Sequence, residues 1–430
     1  MVTLLAIGIV FLALAGTPLF VVIGAAALLG FFASDVPSAA VAAEIYRMAS
    51  APTLLAIPLF TFAGYLMAEG GSPPRLLRVT RAWLGWMPGG LAAVALLCCA
   101  FFTAFTGASG VTIIALGGLL FPLLRQEEYP ERFSLGLLTT CGSLGLLFPP
   151  SLPLILYGLV AQVDIDQLFL AGVFPGVLLL VFLTVFGAVV GKRSGSRRQP
   201  FRWRDALAAL RAAAWEIPLP IIVLGGIYGG ILTTTEAAAV TAAWVLVVQC
   251  FIYRDLHILR DVPRIAEDAM VLVGGILVIL GAALGFTNYL IDAEVPMRLL
   301  GLMQELLDSR LAFLLLLNLF LLVVGCLMDI FSAIIVVVPL IAPIAKEFGV
   351  DPIHLGIIFL TNLEIGYSTP PVGLNLFIAS FRFGRSILSL YRASIPFLVL
   401  LLLALAVITY WPGLSLYLPQ ALGGYAAALP

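Results

Sequence analysis

Apolar stretches long enough to cross a lipid bilayer recur along nearly the whole of this 430-residue chain, for example at 3–33, 168–191, 236–253 and 393–412. About 20 apolar residues span the hydrocarbon core as a helix, and roughly ten such elements fit the chain. Hydrophobic residues make up 62% of the sequence and charged residues 10%, whereas a soluble domain carries about 25% charged residues. The sequence therefore predicts an all-α polytopic membrane protein.

The basic residues indicate which loops face the cytoplasm. With the N-terminus placed in the cytoplasm, 18 of the 22 Lys and Arg residues fall on the cytoplasmic side. Cytoplasmic loops of membrane proteins are enriched in Lys and Arg, so this assignment is favoured. We therefore expect a multi-pass protein of a bacterial inner membrane with a cytoplasmic N-terminus.

One long polar segment, 192–215, divides the apolar sequence into residues 1–191 and 216–430. Its basic residues predict a cytoplasmic linker. A solvated loop with amphipathic character explains the composition, and contact with lipid head groups is the alternative.

The two halves resemble each other around a Pro-Pro pair. The string TCGSLGLLFPP at 140–150 and the string TNLEIGYSTPP at 361–371 share four residues at one offset of 221. In the predicted topology the first copy starts in the cytoplasm and the second starts outside, so the repeats are inverted. Inverted repeats interrupted by Gly and Pro are typical of secondary transporters.

The Pro-Pro pairs predict broken helices at 132–162 and 353–381. Proline donates no backbone hydrogen bond and disfavours helix at the residue before it. Carbonyl groups released inside a membrane are tolerated where something polar satisfies them. A cation lined by carbonyls is one solution, and kinks needed only for packing are the other.

Two further segments, 91–125 and 312–346, are long enough to enter the membrane and return as re-entrant hairpins. The first is interrupted at FTGASG (105–110) and the second near Asp329. A helix starting at Ser109 would aim its positive end at a site, although small residues also serve helix packing. A carboxylate at Asp329 is costly in a membrane, so either a bound cation or a helix N-cap is expected there.

Two glutamates stand out in apolar surroundings. Glu364 lies in the second broken helix, where it either pairs across the bundle or faces the cytoplasmic cavity. Glu236 follows three threonines at 233–235 and opens an Ala- and Val-rich helix. We interpret Glu236 as structural, because threonine and glutamate can cap a helix start together.

Other functional classes lack their sequence features. The chain has two histidines, and its five cysteines lie in apolar stretches without metal-ligand spacing. An intramembrane lipid-modifying enzyme needs clustered catalytic groups at the membrane face, and the predicted spans do not supply them. An ion channel is the other alternative, because re-entrant hairpins also build pores.

Several motifs resemble the large membrane subunit (the M subunit, DctM-like) of tripartite ATP-independent periplasmic (TRAP) transporters, within the wider ion-transporter superfamily. The most specific is NLEIG at 362–366 leading to TPPVGLNLF at 369–377. The other matching strings are MPGGLA (87–92), FPPSLPLILYG (148–158), LFLAG (168–172) and TEAAAV (235–240).

The resemblance implies an elevator mechanism, in which a transport domain holding the hairpins and broken helices slides against a scaffold. It also implies sodium-coupled symport of a small organic anion: a C4-dicarboxylate, sialic acid, keto acid or similar carboxylate. A periplasmic binding protein delivers the substrate, and a small four-helix membrane subunit completes the complex.

Carried onto this sequence, the resemblance implies two sodium sites and a substrate site. The first sodium site comprises Thr106, Gly107, Ala108 and Ser109 with Gly145, Phe148 and Pro150. The second comprises Met328 and Asp329 with Gly366, Thr369 and Pro371. Ser109, Thr112 and Asn375 are the expected substrate contacts. The sequence departs from the family pattern at Ala108, Thr234, Ile330 and Phe331, where the family commonly has Ser, Pro, Pro and Thr.

Overall fold

The computed structural model describes residues 2–34, 39, 42, 46, 50–87, 89–195, 200–306 and 309–425. Every regular element within these residues is a helix. Residues 196–199 of the predicted linker, and Pro88 of the MPGGLA motif, lie outside the described residues.

The helices are long and apolar, as the sequence predicts. Eight of them in the described part of the chain are long and apolar enough to cross a membrane, or nine if one bent pair counts as a span. The eight are Pro52–Glu69, Ser109–Gln126, Ile165–Arg193, Thr234–Ile252, Asp261–Asp292, Arg310–Leu327, Ile330–Glu347 and Ile387–Tyr410. The shorter helices include Ser72–Leu84, Gly90–Thr106, Trp203–Ala212, Pro218–Tyr228, Val295–Leu306 and Gly413–Leu422. The prediction of an all-α membrane fold is confirmed.

The N-terminal segment differs from its prediction. The apolar stretch 3–33 was expected to form one crossing, but helix Val2–Leu14 ends before helix Leu19–Ala33 begins. Gly16 adopts a left-handed conformation with φ of 83°, and Pro18 precedes the second helix, where it offers no amide to continue the first. The two helices pack against each other, so the single-span interpretation of 3–33 is wrong.

Four paired segments surround the Gly and Pro interruptions. Helices Gly90–Thr106 and Ser109–Gln126 form the first hairpin, and Arg310–Leu327 and Ile330–Glu347 form the second hairpin. The first broken helix comprises Glu131–Thr140 and Leu152–Ala161, and the second comprises Pro352–Gly366 and Leu374–Phe383. Each segment begins and ends within two residues of its predicted bounds. The axes of the first broken helix are bent by 46°.

Glu236 caps the start of the apolar helix Thr234–Val247 together with Thr233. The Thr233 backbone amide donates to Glu236 Oε2 at 2.8 Å, and the Glu236 amide donates to Thr233 Oγ1 at 3.2 Å. This reciprocal capping satisfies two amides that the first helical turn leaves free. The structural interpretation of Glu236 is confirmed.

A buried polar chain fixes the second hairpin to the second broken helix. Asn362 Nδ2 donates to Asn318 Oδ1 at 2.7 Å, and Asn318 Nδ2 donates to Thr409 Oγ1 at 3.1 Å. His354 contacts the same region, with Nε2 lying 3.2 Å from the Thr409 carbonyl oxygen. Interhelical hydrogen bonds of this kind hold membrane helices together where no hydrophobic driving force acts.

Helix Ile165–Arg193 crosses the first broken helix at Gly172. A Cβ atom on Gly172 would lie 2.0 Å from the backbone carbonyl oxygen of Leu147. The absence of a side chain therefore lets the long helix approach the interrupted backbone directly, as small residues do at membrane helix contacts.

We expect Gly172→Ala to destabilise the chain by about 1–3 kcal/mol, because a Cβ overpacks this backbone contact. The measurement is the melting temperature of the purified chain in detergent. Gly274→Ala is the matched control, since no atom lies within 4 Å of the Cβ it would add. Equal melting temperatures for the two variants would contradict the close approach.

Candidate functional site

The tip of the first hairpin is built from small residues that let the chain reverse. Helix Gly90–Thr106 ends at Gly107, which has φ of 64°, and Ala108 is extended before the next helix begins at Ser109. A Cβ on Gly107 would lie 2.6 Å from Leu152 Cβ. The predicted tip residues therefore lie against the first broken helix.

The tip residues are buried or nearly so. Thr106 is fully buried, and its Oγ1 accepts a long hydrogen bond of 3.5 Å from the Ala108 amide. Ser109 is 4% exposed, and its carbonyl oxygen faces Gly142 across the gap to the first broken helix. The tip therefore presents the Ser109 carbonyl oxygen to its neighbour, while the Thr106 hydroxyl is engaged within the tip.

Thr103 joins both arms of the first hairpin to the first broken helix. Its Oγ1 donates to the Gly142 carbonyl oxygen at 2.8 Å and lies 2.7 Å from Thr112 Oγ1. Since the single proton of Thr103 goes to Gly142, the Thr112 hydroxyl is the donor in the second contact. Thr112, a predicted substrate contact, is therefore engaged within the hairpin. Thr103 was missed by the sequence analysis.

The first broken helix leaves residues 141–151 outside its two α-helices, with one 3-10 turn at Leu144–Leu147. Gly145 packs on the first hairpin, because a Cβ there would lie 2.2 Å from the Ala100 carbonyl oxygen. Phe148 is extended, and its ring packs against Gly176. The peptide bond between Pro149 and Pro150 is cis. Gly145, Phe148 and Pro150 thus lie in the interrupted segment, as predicted.

The tip of the second hairpin is an N-cap. Asp329 Oδ1 accepts from the amides of Phe331 and Ser332, each at 3.0 Å, and Asp329 Oδ2 accepts from the Ser332 hydroxyl. Met328 is extended before it. Asp329 is exposed in the structure. Of the two roles expected for this carboxylate, the cap is confirmed and the ion ligand stays a prediction.

Tyr367 holds the second tip against the second broken helix. The Ile330 amide, which opens the second arm of the hairpin, donates to Tyr367 Oη at 2.6 Å. The Gly373 amide donates to the Cys326 carbonyl oxygen at 3.3 Å. Tyr367, like Thr103, carries a contact that the sequence analysis missed.

The remaining residues of the second predicted site, Gly366, Thr369 and Pro371, belong to the second broken helix. Gly366 abuts Gly325, with an added Cβ only 2.6 Å from Gly325 Cα. Thr369 Oγ1 donates to the Ile365 carbonyl oxygen at 2.8 Å, and the Pro371 carbonyl oxygen accepts from Tyr391 Oη at 2.6 Å. The peptide bond between Pro370 and Pro371 is also cis. The structure therefore places Gly366 against the second hairpin, and Thr369 and Pro371 in the interrupted segment that follows Gly366.

Several buried polar atoms beside this segment have no hydrogen-bond partner among the residues that the structure describes. They are both side-chain polar atoms of Asn375, both carboxyl oxygens of Glu364, and Ser368 Oγ. The Asn375 amide donates to the Tyr367 carbonyl oxygen at 3.0 Å, which places Asn375 next to Ser368. Buried polar atoms are normally paired, so unpaired ones indicate a ligand or a water position. The pairing across the bundle predicted for Glu364 is not observed in the described part.

The two broken helices meet at equivalent positions. Ser143 Oγ donates to the Thr140 carbonyl oxygen at 3.3 Å and also lies 3.5 Å from the Glu364 carbonyl oxygen. Ser143 and Glu364 are 221 positions apart, which is the offset between the sequence repeats. A contact between repeat-related residues is expected where a pseudo-two-fold axis passes between the repeats. The candidate site therefore lies around this axis, between two hairpin tips and two interrupted helices.

This arrangement has a counterpart among known proteins. Residues 4–414 match the family described as "Tripartite ATP-independent periplasmic transporter, DctM component". The chain belongs to this family.

Individual relatives of this chain are also named as TRAP transporter permeases. The "C4-dicarboxylate TRAP transporter large permease protein DctM" of Pseudomonas aeruginosa is 38% identical over 401 residues, covering 93% of each chain. The "Isethionate TRAP transporter permease protein DctMQ" of Oleidesulfovibrio alaskensis is 36% identical over 94% of this chain and 64% of that protein. The "Ectoine/5-hydroxyectoine TRAP transporter large permease protein UehC" of Ruegeria pomeroyi is 31% identical, covering 95% of this chain and 96% of that one.

A solved structure shares the DctM fold of this chain. It is described as "Crystal structure of the Alcanivorax borkumensis YdaH transporter reveals an unusual topology", with a TM-score of 0.63, 15% identity and 88% coverage of each chain. This likeness concerns the fold alone. The DctM relatives are named as transporter permeases rather than as enzymes, so this chain is a large permease subunit of a secondary transporter.

We expect Thr103→Val to loosen the first hairpin, because it leaves the Gly142 carbonyl and the Thr112 hydroxyl without their partner. The cost is about 1–3 kcal/mol, the usual range for a buried polar group left without its hydrogen bond. The melting temperature in detergent reports the change.

Thr241→Val is the control for this substitution. Thr241 is also buried, and its hydroxyl donates to the Ala237 carbonyl oxygen one turn earlier in the same helix. An interaction within one helix ties no second element down, so little change is expected. A Thr103 variant as stable as the Thr241 variant would show that the hairpin does not depend on Thr103.

Proposed function

We propose that this chain carries out sodium-coupled uptake of a small organic anion. The observation that supports this most is the contact of each hairpin tip with an interrupted helix. Thr103 bonds the first hairpin to the 141–151 segment, and Tyr367 bonds the second hairpin to the 367–373 segment. Interrupted membrane helices whose ends meet near one site are the usual ion and substrate sites of secondary transporters.

The two sodium ions lie at these two contacts. The first site uses residues 106–109 of the first tip with the backbone around Gly145, Phe148 and Pro150. The second uses Met328 and Asp329 with Gly366, Thr369 and Pro371. Carbonyl and hydroxyl oxygens of this kind suit a hard monovalent cation, and unwound segments supply them at mid-membrane.

The substrate is an anion, and it is held without a fixed cation. The sequence has no Lys or Arg between Phe133 and Gly191 or between Leu311 and Ala345. Helix N-terminal amides and two sodium ions supply the positive charge instead. Desolvating each ion alone is expensive, so sodium and substrate bind cooperatively.

Asn375 is the strongest candidate for a direct substrate contact. Its side-chain amide is fully buried, and neither polar atom has a partner among the described residues. Ser109 contributes from the first tip. Thr112 contributes through its contact with Thr103, which holds the two arms of the first hairpin together. The names of the relatives span a C4-dicarboxylate, isethionate and ectoine, and we propose a carboxylate for this chain.

Transport follows an elevator motion in this proposal. The hairpins and broken helices are tied together by Thr103, Tyr367 and the Asn318–Asn362 contact, so they move as one transport domain. The other long helices form the scaffold. A small four-helix membrane subunit packs on that scaffold, a periplasmic binding protein delivers the substrate, and the N-terminus faces the cytoplasm of a bacterial inner membrane.

We expect Asp329→Asn to raise the sodium concentration for half-maximal uptake by about tenfold, or ~1.4 kcal/mol. Asparagine is as good an N-cap as aspartate, so the melting temperature should hold while the ion ligand loses its charge. The measurement is sodium-titrated uptake in proteoliposomes containing the partner subunit and binding protein.

Asp164→Asn is the matched control. Asp164 is an exposed N-cap whose Oδ1 accepts from the Asp166 amide at 3.0 Å, and it lies outside both proposed sodium sites. Its substitution should leave the sodium dependence unchanged. An unaltered sodium dependence in the Asp329 variant would remove Asp329 from the second site and leave its role as a cap.

A further inference from the structure

Two short amphipathic helices pack together outside the predicted spans. Ser72–Leu84 buries Leu76 and Leu77, and Trp203–Ala212 buries Ala206 and Ala209. The helices contact each other, and neither is among the helices that are long and apolar enough to cross a membrane. An amphipathic helix outside the spans is suited to lie in the plane of the membrane interface.

A cavity of about 370 Å³ opens between these two helices. The side chains of its lining that matter here are Arg78, Arg81, Trp86, Phe201, Arg202 and Asp205. Arg81 is paired with Glu127, which leaves Arg78 and Arg202 against one acidic residue, Asp205. The lining is therefore basic, and the cavity suits an anion.

Two of the three arginines are available to a ligand. Arg81 forms an ion pair with Glu127 at 3.1 Å. Arg78 and Arg202 are exposed, and neither guanidinium group forms a hydrogen bond or ion pair with any residue that the structure describes. A guanidinium group binds phosphate oxygens through two parallel N–H donors, so this pair of arginines suits a phosphate group.

Aromatic side chains surround the same surface. Trp83, Phe201 and Trp203 form an edge-to-face cluster that joins the two helices, with ring centroids 5.0–6.1 Å apart. Trp83, Trp86 and Trp203 are 37%, 51% and 70% exposed. Tryptophan favours the boundary between lipid and water, where its ring is apolar and its N–H is wet. The aromatic cluster therefore places the basic cavity at the level of the lipid head groups.

We propose that this cavity binds the phosphate head group of an anionic phospholipid. Arg78 and Arg202 hold the phosphodiester, and the acyl chains descend beside Trp83 and Trp203. The bilayer supplies the ligand at high local concentration, and the aromatic cluster favours a lipid over a free phosphate, which would gain nothing from those rings. The site is separate from the hairpin tips, and its occupancy does not depend on the proposed sodium coupling.

The test is native mass spectrometry of the full-length chain from mixed micelles containing equal amounts of phosphatidylglycerol and phosphatidylcholine. The wild-type chain should retain phosphatidylglycerol preferentially. Arg78→Gln with Arg202→Gln should lower that preference by about fivefold for each arginine removed, from the usual contribution of a basic residue at a lipid surface.

Arg204→Gln with Arg211→Gln is the matched control. Both residues lie on the Trp203–Ala212 helix and are exposed, but neither lines the cavity. This variant loses the same charge and should keep the preference. An equal loss in the two double variants would show a general basic surface and overturn the proposal.

Two other outcomes would also overturn it. If the Arg78 and Arg202 double variant retains the full preference for phosphatidylglycerol, the cavity does not hold the lipid. If millimolar inorganic phosphate displaces phosphatidylglycerol from the wild-type chain, the cavity is a site for free anions. Retention of phosphatidylglycerol under inorganic phosphate, together with loss in that double variant alone, supports the lipid site.

Discussion

Backbone groups released where a membrane helix stops must find partners, because lipid offers none. Helices are interrupted at four places around one centre, namely the two hairpin tips and the two broken helices. Each hairpin contacts a broken helix. The Gly142 carbonyl receives the Thr103 hydroxyl, and the Ile330 amide reaches the Tyr367 hydroxyl. Both contacts join a hairpin to the broken helix of its own half, so the candidate site depends on the hairpin and the broken helix satisfying each other.

The positions of the interruptions could be predicted from the sequence, because glycine and proline act locally on the backbone. In the first apolar stretch, hydropathy alone joins two helices that Gly16 and Pro18 separate. The long spans were predictable for a similar reason, since the length and composition of a span are properties of one segment. Which segments contact each other is not a property of any one segment, so it could not be predicted in the same way.

The contacts that assemble the site join positions far apart in the chain, and no local pattern reports them. Thr103 lies 39 residues from Gly142, and Ile330 lies 37 residues from Tyr367. Asp329 is the reverse case, because its capping hydrogen bonds join neighbouring residues and a cap there could be predicted from the sequence. Asn375 was predicted from a motif, and the structure adds that its amide is buried without a partner among the described residues. The basic cavity could not be predicted from one segment, since Arg78 lies on helix Ser72–Leu84 and Arg202 precedes helix Trp203–Ala212, and these helices meet only in the fold.

We propose that the interrupted helices hold sodium and that sodium supplies the charge for an anionic substrate. The most direct measurement is uptake by proteoliposomes containing this chain, its small membrane subunit and its binding protein, under a sodium gradient or a proton gradient. We predict that uptake requires the inward sodium gradient and stops when sodium is replaced by potassium. Undiminished uptake on a proton gradient with sodium absent would contradict the claim and remove both sodium sites.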